Sequence, residues 1–266
     1  MINMGYACLA LGVRNTGFRS CRRNNATAAN LEELISHNLR SLENLLHYNI
    51  AQGIRLFRIT SDLIPFGSSP ANTLRWWEDF APRFAQIGNL IKKGHIRVSM
   101  HPGQYTVLNS PHDRVVENSI RDLAYHALVL DSLQVGLDSK IVLHIGGVYG
   151  NKKQALERFV ENFARLNQNV KSRLVIENDE RFFNIEEVLT VGRRLEIPVV
   201  FDNLHHAING PQDQVLTDYD WIEACSETWD KAHGQQKIHY SQQDPAKKSG
   251  AHSQTIRVEE FLEFYE

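Results

Sequence analysis

Seven side chains of metal-ligand type stand at, or just beyond, the ends of short apolar runs: His101, His144, Glu177, Asp202, His205, His239 and His252. Imidazole and carboxylate without thiolate form a donor set for Mn²⁺ or Zn²⁺, whereas Mg²⁺ and Ca²⁺ prefer all-oxygen sites. A carboxylate such as Glu177 can bridge two ions. Ions ~3.5–4 Å apart suit in-line attack on a phosphodiester, one activating water and the other stabilising the leaving oxygen. The expectation is roughly two or three divalent ions, Mn²⁺ or Zn²⁺, with Mg²⁺ a further candidate. The chain has 12 histidines, so any one of them taken singly reads more simply as a hydrogen-bonded core or loop residue. Recurrence at successive strand ends is what gives the set its weight.

Positioning such a set requires strands that all end on one side. Apolar β-rich runs at 54–59, 96–101, 140–144, 173–177, 198–202 and 236–240 follow a first strand within 2–13. Between them lie segments of helical period at 31–52, 73–93, 114–135, 152–167, 185–196 and 218–232, with a last one from 257 onward. Asn30 with Glu33 reads as a capping box for the first helix, and Gly53 as its end. Pro82 must kink or divide the 73–93 segment. Strict alternation of this kind implies a parallel sheet with crossover helices, here a TIM-type β/α barrel whose active face is the C-terminal end of its strands. Side-chain alternation places Val142 with His144, Val175 with Glu177 and Val200 with Asp202 on one inward face. Lys237, two residues before His239, shares that face and is expected beside the ions, as an ammonium with a depressed pKa, a paired cation or a carboxylated ligand. Seven strands are countable where eight would close a barrel. The chain therefore reads as one TIM-type barrel domain over residues 1–266 that stops before its last strand, a C-terminal truncation.

Composition excludes several other classes. With 42% hydrophobic residues and a net charge of -2, the chain has a full core and no overall basic bias, so nucleic-acid contacts must be local. Three widely spaced cysteines, Cys8, Cys21 and Cys225, make neither a disulfide framework nor a zinc knuckle, and point to a reducing, intracellular setting. The N-terminal apolar stretch lacks a basic leader, and no run approaches the ~18 apolar residues of a membrane span. No patterned apolar surface argues for an oligomer, so a monomer is the default. Arg14, Arg19, Arg22, Arg23, Lys247 and Lys248 are available for phosphate contacts, though each also suits a solvated loop. His37, His47, His95, His112, His126, His206 and His233 lie on helices, at strand starts or beside stronger candidates, and carry no assignment.

Six segments in order, Met4-Gly5-Tyr6, Arg58-Ile59-Thr60-Ser61-Asp62, His101-Pro102-Gly103-Gln104-Tyr105, Leu143-His144-Ile145-Gly146-Gly147, Ile176-Glu177-Asn178-Asp179 and Phe201-Asp202-Asn203-Leu204-His205-His206, resemble the UV damage endonuclease family across nearly the whole chain. The resemblance implies Mn²⁺-like ions held by the seven candidates above. It also implies incision of damaged double-stranded DNA immediately 5′ of a photoproduct, leaving a 3′-hydroxyl and a 5′-phosphate, with Glu177 and His239, and Lys237 by its register beside them, expected at the chemistry. Gln104 and Tyr105, with Tyr6 a weaker candidate, would probe the distorted duplex. An amide and a ring on a Pro-Gly loop suit that task, because they can replace the bonds and stacking lost when bases leave the helix. Family members are expected to supply a further glutamate from the last strand, which this sequence does not reach. The competing readings are a metal-dependent sugar isomerase or epimerase on the same barrel, and a non-catalytic damage-binding protein.

Overall fold

Apolar runs form strands and the helical-period segments form helices, in alternation along the residues described, 3–212 and 216–266 of a computed structural model. Ile2, at the start of the expected first strand, lies outside them. The order is β1 (Gly5–Ala7), α1 (Ala28–Ala51), β2 (Leu56–Ile59), α2 (Trp76–Asp79), α3 (Ala81–Lys93), β3 (Arg97–Met100), α4 (Asp113–Ser132) and β4 (Lys140–His144). It continues with α5 (Lys152–Ala164), α6 (Gln168–Arg173), β5 (Leu174–Glu177), α7 (Ile185–Leu195), β6 (Val199–Asp202), α8 (Asn203–Ile208), α9 (Asp218–Ser226), β7 (Ile238–His239) and α10 (Val258–Tyr265). No helix among the described residues is long and apolar enough to cross a membrane.

Local chemistry sets several boundaries differently from expectation. Thr27, not Asn30, caps α1: its hydroxyl accepts from the Asn30 backbone, and the Asn30 amide turns back to the carbonyl of Asn25. A threonine cap three residues earlier satisfies the first-turn donors, so Glu33 has no capping role. Pro82 does divide the 73–93 segment, sitting in the first turn of α3 where its missing N–H costs nothing. The 152–167 segment is followed by a second, unexpected helix, α6, because Asn167 caps a new turn by accepting from Val170 at 2.9 Å. Gly88 is required by packing, since a Cβ there would stand 2.0 Å from the carbonyl oxygen of Leu133.

All seven strands are parallel and pair in sequence order. In a flat sheet β3 and β7, four spacings apart, would be separated by about 19 Å. Instead Lys237, just before β7, donates from Nζ to Ser99 Oγ in β3, and the Arg97 guanidinium reaches the carbonyl of Gln235. The sheet is therefore curled into an incomplete TIM-type barrel; among the described residues β1 and β7 are its unpaired edges. The main core lies between sheet and helices, where α1 alone buries Leu31, Ile35, Leu39, Leu42 and Leu46 completely. Each such side chain contributes about 1.5–3 kcal/mol. A separate small cluster, Val142, Val175 and Val200 with Trp229 against it, fills the inside of the barrel.

The N-terminal end of the barrel is plugged by cations bonded to backbone. Arg97 Nε donates to Asp138 O at 2.8 Å, and Lys140 Nζ to Ser172 O at 2.9 Å. Arg173 donates to Gly136 O at 2.8 Å and to Val135 O and Ser139 O at 3.2 Å, and pairs with Asp131 at 2.9 Å.

Candidate metal centre

At the opposite end, strand termini deliver the candidate ligands. His144 ends β4, Glu177 ends β5, Asp202 ends β6 and His239 ends β7, while His101 follows β3 directly. Register sets them in adjacent pairs, His144 beside Glu177 and Asp202 beside His239. His205 comes from the first turn of α8, a short helix that was not expected and that Asp202 caps by accepting from the His205 backbone at 2.9 Å. His252 arrives on a later loop through a bridge to Gln243, its ring centroid 5.7 Å from that of His205.

Glu177 is the centre of the arrangement, 1% exposed. Its Oε2 stands 2.9 Å from His101 Nε2 and 3.3 Å from His144 Nε2, and its Oε1 contacts His239 Nδ1. Two groups of ligand atoms, His101/His144/Glu177 and Glu177/Asp202/His205, each lie within 4.8 Å of one another and share this carboxylate.

Neighbouring carbonyls fix the ring orientations. His101 Nδ1 lies 3.0 Å from Pro102 O, and His205 Nδ1 lies 2.9 Å from Asn178 O. An Nδ1–H given to a carbonyl leaves Nε2 with its lone pair, the ligating form. Asn178 also brackets Asp202, accepting from its N–H at 2.9 Å and donating to its carbonyl at 3.0 Å. Asn178 and Glu180, whose carboxylate is 3.8 Å from His205 Nε2, were given no role from sequence. Their signal was position, directly after the strand-end Glu177.

Burial and neighbouring charges shift the protonation of several of these groups. Burial pushes His144 down to about 3 and His239 to about 4, so both rings are neutral near pH 7. Burial works to raise the Glu177 pKa, but His239, His101 and His144 outweigh it and hold the carboxyl well below the usual range. Burial, with Glu177 close by, raises Asp202 to about 6. His144 Nδ1 is buried with no hydrogen-bond partner. Acceptor lone pairs converging on a buried carboxylate are costly unless a cation lies between them. The donor set therefore fits divalent metal ions.

Lys237 is buried, and burial, with Arg58 and Arg97 nearby, pushes its amine down to about 7. Gln104 and Tyr105 project from the loop after β3, Tyr105 being 68% exposed and its ring lying close over Gly103. Tyr6 is not brought to the ligands: its hydroxyl donates to Asn49 Oδ1 of α1 at 2.8 Å and its ring packs on Phe57. Arg14 is exposed on the loop after β1. Lys247 is exposed and paired with Asp244 at 2.9 Å.

A family model described as UV-endonuclease UvdE matches residues 2–265. The UV DNA damage endonuclease of Clostridium perfringens is 45% identical over 269 residues, covering 100% of this chain and 64% of that protein. The chain thus spans just under two thirds of that relative's length. The crystal structure of SacUVDE superposes with a TM-score of 0.92 at 37% identity, covering 100% of this chain and 89% of that one. D-psicose 3-epimerase from Clostridium cellulolyticum shares the fold alone, with a TM-score of 0.54 at 15% identity over 74% of this chain and 66% of that one. With its strand-end cluster and a match along nearly its full length, the chain belongs to the UV-endonuclease UvdE family.

Proposed function

We propose that the chain acts inside the cell as a metal-dependent DNA repair endonuclease, incising damaged duplex immediately 5′ of UV photoproducts and leaving a 3′-hydroxyl and a 5′-phosphate. The observation that carries this reading is Glu177 shared between two ligand groups, the arrangement a two-ion phosphodiester site requires. His101 and His144 would hold one ion, Asp202 and His205 the other, with His239 and His252 completing the set and Mn²⁺ the favoured metal. Such ions, when bound, lower the pKa of water and neutralise charge on the phosphate.

The chain's own residues do the rest. Glu177, ionised and buried, supplies the negative charge that both halves of the site share. Lys237, whose amine stands near neutrality, sits within the barrel below His239 and Glu177, where it can relay a proton or carry a carboxylate modification. Gln104 and the exposed Tyr105 meet the duplex, and the exposed Arg14 contacts a phosphate. Lys247, already paired with Asp244, is the weaker backbone contact.

The test is incubation of UV-irradiated and undamaged duplex with Mn²⁺ or with chelator, followed by incision and gel-shift readouts. Mn²⁺-dependent nicking confined to irradiated duplex is expected. A shift without nicking would instead favour a damage-binding protein, and ketose turnover with neither effect an isomerase or epimerase. His101→Ala should abolish incision and Gln104→Ala should mainly weaken discrimination; equal rates in both would overturn the residue assignment.

A further inference from the structure

Behind the Gln104–Tyr105 tip runs a buried polar chain that the metal site does not use. His126 and Asp122, one turn apart on α4, are 0% and 5% exposed. His126 Nδ1 lies 2.7 Å from the Asp122 carbonyl and 3.6 Å from its carboxylate, and Nε2 lies 3.0 Å from Ser61 Oγ. Ser61 Oγ in turn donates to the carbonyl of His101 at 2.6 Å. On the other side, Asp122 Oδ2 accepts from Thr106 Oγ1 at 2.7 Å. Tyr125 fixes Ser61 from the same helix, donating from its hydroxyl to the Ser61 carbonyl at 2.9 Å.

Serine, histidine and aspartate in this order resemble a nucleophile with its base, but the geometry denies that use. The Ser61 hydroxyl is given to a carbonyl, and the shortest contact of His126 Nδ1 is backbone rather than carboxylate. Burying an imidazole and a carboxylate is unfavourable compared with aliphatic residues unless their bonds accomplish something. Here the bonds lead to the two ends of one loop. His101, the metal-ligand candidate, begins it and Thr106 ends it, with the tip between.

We infer that Ser61, His126 and Asp122 are positioning residues through which one turn of α4 clamps both ends of the 101–106 loop, setting His101 and the Gln104–Tyr105 tip as a single unit. This rests on the endonuclease reading above. The two ends of the clamp should fail differently. Ser61→Ala releases the His101 end, so Mn²⁺ affinity, read from the electron paramagnetic resonance of free Mn²⁺, should fall about tenfold, in the range of other outer-layer partners of metal ligands. Turnover at saturating DNA should fall with it, while affinity for irradiated duplex in chelator is unchanged. His126→Phe should follow Ser61→Ala. Thr106→Val releases the tip end, so preference for irradiated over undamaged duplex should fall about fivefold, the effect of one hydrogen bond. Mn²⁺ affinity should be retained, and Thr106→Ser should restore the preference.

A purely structural role predicts instead that both variants lose every property in parallel with melting temperature. That outcome, or no change in either variant, overturns the clamp. Amide hydrogen exchange of residues 101–106 keeps the test independent of activity: each variant should deprotect its own end of the loop. Parental protein that neither binds Mn²⁺ nor nicks irradiated DNA sinks the endonuclease reading, whereas unaltered exchange in both variants sinks the clamp.

Discussion

The two ends of the barrel both bury charge, and they resolve it in opposite ways. At the N-terminal end Arg97, Lys140 and Arg173 face backbone carbonyls, and Arg173 has bonds to three of them as well as an aspartate. At the C-terminal end Glu177 gathers three imidazoles, and His144 keeps a buried nitrogen with no partner. At the first end each cation is bonded to the protein's own carbonyls, with Arg173 Nε the one of these groups lacking a partner among the described residues, and the arrangement serves stability. The second gathers its side chains around one buried carboxylate in a set that could hold a cation, an arrangement that trades stability for ligand affinity.

The sharpest way to break that comparison is Glu177→Gln, a near-isosteric loss of the shared carboxylate. Incision should fall about 10³-fold or more, corresponding to several kcal/mol of lost charge stabilisation. In chelator its melting temperature should match or exceed the parent's, because a buried anion has been removed. Arg173→Met should do the reverse. It removes the guanidinium from three carbonyls and from Asp131, of which Gly136 O keeps the Ser139 N–H and Asp131 keeps Asn169, so unfolding free energy should fall by about 3 kcal/mol in denaturant titration. Metal affinity should be retained in the folded fraction. If Glu177→Gln costs as much stability as Arg173→Met, the two ends do not differ as described.

A smaller effect sharpens the N-terminal end. Burial, aided by Arg97 and Arg173, pushes Lys140 down from its ordinary 10.5 to about 8. A base with a depressed folded pKa holds its proton less readily than the unfolded chain does. Between pH 8 and 10.5 the unfolded state therefore binds more protons, and the contribution of Lys140 to stability improves as pH rises. The penalty is fully present below about 8 and gone above 10.5. Lys140→Met should remove that slope. A stability difference between parent and variant that stays flat across this window would show that the amine is not held in the cationic cluster.

What was legible in the sequence follows from the same contrast. His144, Glu177 and Asp202 could be placed because strand alternation is local, and a polar residue closing an apolar run needs no tertiary knowledge. The N-terminal plug was not seen, since Lys140 and Arg97 at strand starts look like ordinary surface cations until curling brings 233–237 beneath them. His126 was read as unremarkable for a similar reason: its partner Ser61 is 65 residues away. The α8 turn that orients His205 was missed because its cap is Asp202 itself, already assigned as a ligand. The bond of the Tyr6 hydroxyl to Asn49 of α1 is likewise invisible in the sequence, because the two residues stand 43 positions apart.

Between the two ends lie Val142, Val175 and Val200, each fully buried, and beside them the Lys237 amine bonded to Ser99. Three isopropyl groups offer no hydrogen-bonding atom, and an apolar patch of this kind stays dry. The valines insulate part of the barrel, while the polar link between its ends runs through Lys237 and Ser99, so the charge on that one amine is felt both by Arg97 and by Glu177.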